Sequence, residues 1–229
     1  MSIFNLGLTR VNIIKRVRVK ICGLKTVKDA LAAVDAGCDA VGLNFFPDSI
    51  RYISIITALE IAKTIPPMVS VVAVFANANP TIVKDVLKNI PQINYFQFHG
   101  TVPELDILND KPWIATLSID ESMGLNLVQS KLDSISNHQN PPSAILVDTK
   151  LKGMFGGTGI PGPWELISKL KFKHPWFLAG GLTPANLTNA ISITKPYGVD
   201  VASGVENSSS EKCPIKMLDF VTNAVCKLS

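Results

Sequence analysis

Short apolar runs rich in β-branched residues recur along this chain at near-constant spacing, and that recurrence limits the folds open to it more than any other feature. The runs cover residues 17–21, 40–43, 69–75, 95–98, 113–117, 143–147, 176–179 and 199–202. A strand buried on both faces reads as such a run, because neither side of the sheet meets water. Between the runs lie longer amphipathic stretches. Residues 27–35 place Val27, Ala30, Leu31 and Val34 at helical spacing, and 57–64, 80–89, 163–170 and 184–193 repeat the pattern. Several open with Thr-Pro or Asn-Pro, a cap followed by proline at the first helical position. The helix after the fifth run belongs somewhere in 121–136, before the loop signal His138-Gln139-Asn140-Pro141-Pro142. Strand starts recur roughly every 26 residues, the size of one βα unit. Eight such units predict an α/β chain whose parallel strands close into an eight-stranded (β/α)₈ TIM barrel rather than an open doubly wound sheet.

The 229 residues suit one such barrel, and the expected division is a leader over 1–16 and a single barrel domain over 17–229. With 47% hydrophobic and 17% charged residues the chain can bury a large core, which excludes global disorder. A net charge of +4, scattered rather than bunched, fits a small anionic ligand and points away from nucleic acid. The cysteines Cys22, Cys38, Cys213 and Cys226 form no CxxC pair and have no histidine at zinc spacing. They read as reduced thiols in a cytoplasm-like compartment. No apolar run approaches the roughly 18–20 residues of a membrane helix. The first 16 residues lack the layout of a secretory signal, and with Asp29 the first acidic residue, charge alone leaves organellar targeting open.

Barrels of this kind carry their chemistry at the C-terminal ends of the strands. Cys22 follows the first run, where a thiol serves as a base or as a small buried hydrophobe. Asp148 follows the sixth run, and a carboxylate there is costly to bury unless used or paired. It is a candidate acid or base, the alternative being a loop cap. Gly156-Gly157-Thr158-Gly159 lets backbone N–H groups turn towards an anion. Gly180 and Gly181 end the seventh run, and Ser203 and Gly204 follow the eighth, where barrels often hold phosphate. Arg51, after the second run, suits a carboxylate, the alternative being a solvated surface residue. Gln97 and His99 flank Phe98 and so share a face at the end of the fourth run. Cys38, Cys213 and Cys226 read as structural, His138 and His174 as surface loop residues.

Together these segments resemble the phosphoribosylanthranilate isomerase family of tryptophan biosynthesis. The resemblance rests on Val19-Lys20-Ile21-Cys22-Gly23-Leu24, Ser49-Ile50-Arg51-Tyr52, Val74-Phe75-Ala76-Asn77, Gln97-Phe98-His99-Gly100, Asp148-Thr149, Gly156-Gly157-Thr158-Gly159, Leu178-Ala179-Gly180-Gly181-Leu182-Thr183 and Gly198 through Glu206. It runs in order from about Arg18 to the C-terminus, and the ordered set is far more specific than any single motif. It implies a cytoplasmic enzyme, monomeric or homodimeric, that takes a phosphorylated small molecule through an Amadori rearrangement without metal or organic cofactor. By the resemblance, Asp148 is the general acid, Cys22 the general base and Arg51 the partner of the substrate's carboxylate. Cys22 should then have a lowered pKa and Asp148 a raised one. Lys20 shares the inward face with Cys22, at a depth expected to keep it from helping directly, so no cationic partner of the thiolate is legible.

The chain departs from the family at two places. Where the glycine loop commonly continues into Gly-Lys-Thr/Ser-Phe-Asp-Trp, it here reads Gly159-Ile160-Pro161-Gly162-Pro163-Trp164, without the lysine. Ala202 stands where serine is common. Weaker substrate binding is expected from both. Two other readings compete. A histidine-pathway aminoaldose isomerase would use two aspartates, which Cys22 argues against. A phosphate-ligand sensor would have lost the acid or the base, and both are present.

Overall fold

The computed structural model describes residues 16–120, 122–150, 164–207 and 211–225. Eight strands, β1 (Arg18–Cys22), β2 (Ala40–Asn44), β3 (Ser70–Ala76), β4 (Ile93–His99), β5 (Trp113–Asp120), β6 (Ala144–Lys150), β7 (Trp176–Ala179) and β8 (Gly198–Val201), form one closed parallel barrel in chain order. The seam closes between β1 and β8, with Lys20 opposite Asp200, while Cys22 lies opposite Gly42 of β2. The helices are α1 (Val27–Asp35), α2 (Ile55–Thr64), α3 (Pro80–Asn89), α4 (Leu125–Ser136), α5 (Trp164–Ile167), α6 (Pro184–Thr194) and α7 (Pro214–Val225). Caps set several of their starts: the side chains of Thr26, Ser54, Asn79 and Thr183 each accept from a backbone N–H in the first turn.

Strand alternation splits the core into two shells. Inside the barrel, Cys22, Val72, Val74, Ile114, Ala144, Leu146 and Ala179 pack together. Outside it, Val19, Ile21, Leu43, Val147 and Val199 meet the helices. Phe75 stacks between Phe45 and Phe98, with ring centroids 5.5 and 5.6 Å away, under the same helical layer.

The structure adjusts the sequence reading at four places. Asp148, expected just beyond the sixth strand, lies within β6, because that strand runs on in register with β5 to Lys150. The connection from β4 to β5 holds a 3₁₀ turn (Leu105–Leu108) in place of a full helix. The helix expected over 163–170 is α5, ending at Ile167. Among the described residues a seventh helix, α7, packs on α1 and α6. The glycine loop with Gly156 and Gly157 lies outside the described residues, as do residues 1–15 of the leader and Cys226.

Candidate active site

A cavity of about 710 Å³ opens at the C-terminal ends of the strands. Its wall brings together Cys22, Arg51, Gln97, His99, Asp148, Gly180, Gly181, Ser203 and Gly204, all the expected site residues that lie within the described chain. Asn44, Thr149, Thr183 and Asp200 complete its polar lining.

On β1, alternation turns Lys20 and Cys22 inward. Gly42 leaves the space that the thiol fills: an added Cβ there would sit 2.6 Å from Cys22 Sγ. Lys20 Nζ donates to Asp200 Oδ1 at 2.8 Å, and both side chains are buried. Burial is the largest influence on Lys20 and pulls it down, but Asp200 and Cys22 together leave it raised. For Cys22 burial again dominates and pushes the thiol up, opposed by Lys20 and more weakly by Lys212, while Asp200 adds to the rise. The expectation of a lowered thiol pKa is therefore corrected. Desolvation outweighs the nearby cations, and one of those cations is Lys20, which the sequence reading had set too deep to act.

Arg51 stands on the loop after β2, which Asn44 and Ser49 organise. Asn44 accepts from Phe46 N at 2.8 Å and donates to Ser49 Oγ at 3.1 Å, and Ser49 Oγ accepts from Arg51 N at 3.1 Å. The guanidinium meets Glu206 side-on, Nε to Oε1 and Nη2 to Oε2, each 2.7 Å. Lys212 Nζ donates to the same Oε1 at 2.7 Å and to Ala202 O at 2.9 Å. Burial is the largest influence on Glu206 and would raise it, yet Arg51 and Lys212 together hold its carboxyl below 4.5. Burial lowers Lys212 in turn. Gly23, at φ 75°, keeps the room that the Arg51 stem occupies.

Across the barrel, Asp148 of β6 faces the cavity, and Gln97 Nε2 lies 2.7 Å from His99 Nε2. The ends of β6, β7 and β8 interlock. Thr149 Oγ1 donates to Ala179 O and Gly180 O at 3.1 and 3.0 Å, Gly180 at φ 90° rests on the Thr149 backbone, and Gly204 rests on the Leu182 carbonyl. A side chain at either glycine would drive the loops apart. The result is a tight rim of backbone around one side of the cavity.

A sequence profile of the N-(5'-phosphoribosyl)anthranilate (PRA) isomerases matches residues 19–223. The chain belongs to this family. The isomerase of Neisseria gonorrhoeae is 38% identical over 211 residues, which cover 92% of this chain and 97% of that relative. The isomerase of Legionella pneumophila is 37% identical over 207 residues, covering 90% and 96%. Among solved structures, phosphoribosylanthranilate isomerase from Thermotoga maritima superposes with a TM-score of 0.75 at 35% identity, covering 91% of this chain and 98% of that one. A phosphoribosylanthranilate isomerase in complex with reduced 1-(o-carboxyphenylamino)-1-deoxyribulose 5-phosphate superposes with a TM-score of 0.72 at 32% identity, with the same coverage. Among the described residues no helix is long and apolar enough to cross a membrane. Sequence reasoning missed the parts of this isomerase fold that work in pairs: Asp200 under Lys20, and Glu206 with Lys212 behind Arg51. The sequence signal for the two carboxylates is a charge set among apolar residues, in Val199-Asp200-Val201 and Val205-Glu206.

Proposed function

We propose that this chain isomerises N-(5-phosphoribosyl)anthranilate to 1-(2-carboxyphenylamino)-1-deoxyribulose 5-phosphate, with Asp148 as general acid and Cys22 as general base. The observation that carries the reading is a single cavity walled by Cys22 from β1 and Asp148 from β6, with Arg51 and the glycine turns around it. An Amadori rearrangement needs an acid and a base acting at different atoms of one sugar, and two different strands supply that.

In this mechanism protonated Asp148 gives its proton to the furanose ring oxygen, and the C1–O bond breaks as the substrate nitrogen forms an iminium. The Cys22 thiolate then removes the C2 proton. The C2–H electron pair becomes a C1–C2 double bond and neutralises the iminium, giving an enolamine that tautomerises to the ketone. The nitrogen is the electron sink throughout. Arg51 binds the anthranilate carboxylate with the guanidinium donors that Glu206 leaves free, since five are available and Glu206 uses two. Backbone N–H groups at Gly180, Gly181, Ser203 and Gly204 receive the phosphate, with Gly156 and Gly157 assigned to the same cradle. Gln97 and His99 are assigned to the sugar hydroxyls. We read the protein as a cytoplasmic enzyme, monomeric or dimeric, acting on a free small molecule.

The test is a coupled assay. Phosphoribosylanthranilate is generated in situ from anthranilate and phosphoribosyl pyrophosphate with the preceding transferase, and decay of substrate fluorescence is followed on adding this protein. Rapid decay is expected, slowed by about 10²-fold or more in Cys22→Ala and in Asp148→Asn, as for loss of a general acid or base. Absence of decay with the folded wild-type protein sinks the assignment.

A further inference from the structure

The base proposed above must lose its proton inside a buried pocket, and burial opposes that. A cation close to Sγ has to offset it. Among the described residues four charged groups act on Cys22: Lys20 on its own strand, Asp200 from β8, Lys212 from the segment after β8, and Arg51 from the loop after β2. Two of the cations are already engaged. Arg51 and Lys212 converge on the one carboxylate of Glu206, and Lys212 also donates to Ala202 O.

Lys20 differs in place and in capacity. It lies two residues before Cys22 on the same strand, so the pleat sends both side chains into the barrel while Ile21 between them packs outward. It is 2% exposed. A lysine at that depth keeps its charge only against a counter-charge, and Asp200 provides one directly across the β1–β8 register at 2.8 Å. An ammonium has three N–H donors, and Asp200 Oδ1 accepts one. The charge of Lys20 favours the Cys22 thiolate, and it acts on the thiol more strongly than that of Asp200.

We propose that Lys20 is the counter-ion of the Cys22 thiolate, held charged and aimed by Asp200, so that Asp200, Lys20 and Cys22 work as one unit. Lys20 is a positioning residue in this scheme: it stays protonated and acts on the substrate only through Cys22. The inference rests on Cys22 acting as the base.

The test separates the two claims by reading the thiol without turnover. The full-length protein is alkylated with iodoacetamide as a function of pH, and the Cys22 peptide is followed by mass spectrometry, which removes interference from the other cysteines. Lys20→Met is expected to raise the Cys22 midpoint by about one unit or more, the range for loss of an adjacent opposite charge. The same variant should lower kcat by about tenfold or more with a smaller change in KM, and part of the rate should return as pH rises. Lys20→Met alone strands a buried carboxylate, so the neutral pair Lys20→Met/Asp200→Asn is measured beside it, with circular dichroism as the check on folding. A smaller rise is expected there, because Asp200, which itself pushes the thiol up, is neutralised as well. An unmoved midpoint in the folded double variant overturns the proposal whether or not the wild type isomerises its substrate. A raised midpoint together with an inactive wild type upholds the pairing and removes the base role from Cys22.

Discussion

Gly42 faces Cys22 across the β1–β2 register, and an added Cβ would lie 2.6 Å from Sγ and 3.0 Å from the Cys22 Cα. The backbone of β1 cannot yield without loosening the barrel, so the thiol must turn away. Gly42→Ala is therefore expected to keep the fold, by circular dichroism, and to lower kcat by about tenfold or more through misplacement of the base. Wild-type kcat in that variant would mean that the thiol has slack. At this scale the sequence was most informative where one residue suffices. Cys22 and Asp148 each follow an apolar run, and Gln97 and His99 announce a shared face by their spacing. What stayed hidden depends on pairing over long separations. Depth alone argues against a useful Lys20, and only the β8 carboxylate at its side reverses that. The orientation of Arg51 likewise depends on Glu206, which no local pattern ties to it.

The turn from β7 into α6 shows how an element holds the site. Thr183 Oγ1 accepts from Asn186 N at 3.3 Å, Asn186 Oδ1 accepts from Thr183 N at 2.8 Å, and Asn186 Nδ2 donates to Gly181 O at 2.9 Å. This capping box closes the start of the helix and ties it back to the glycine turn beside the cavity. Thr183→Ala is expected to cost about 1 kcal/mol, read from urea unfolding, and to raise KM more than it changes kcat. An unchanged KM would detach the cap from substrate binding. Helices with cap-and-proline starts were legible to within a residue: α3 begins at Pro80 and α6 at Pro184. The β4–β5 connection offered no such signal and folds as a 3₁₀ turn, ended by Asn109 and Asp110 in left-handed conformations. For α7 the signal was present in the helical spacing of Met217, Phe220, Val221 and Ala224, its buried face.

For the whole molecule, the even repeat of apolar runs was enough to foresee closure, because eight buried parallel strands have no other way to shed two edges. Closure also fixes how the protein meets acid. Arg51 and Lys212 hold Glu206 below 4.5, so the stability it contributes is complete above that value and is lost as pH falls through the lower folded value. Glu206→Gln should be less stable than wild type at neutral pH, with the gap in Tm closing on acidification. A gap constant across pH would show that the charge of Glu206 is not what stabilises. Lys20 has the opposite sign: raised above 10.5, its contribution is whole below that pH and is lost in strong alkali as pH passes its folded value. Lys20 and Asp200 also stand 180 positions apart, and Arg51 and Glu206 155. At ordinary rates of translation roughly 10–40 s pass between synthesis of the first pair's two members. Through that interval Lys20 lacks the carboxylate that pairs with it in the folded barrel. A nascent chain cut short before β8 has neither Asp200 to pair with Lys20 nor Glu206 to aim Arg51, so the ribosome has to pass the last strand before the first can take up its work.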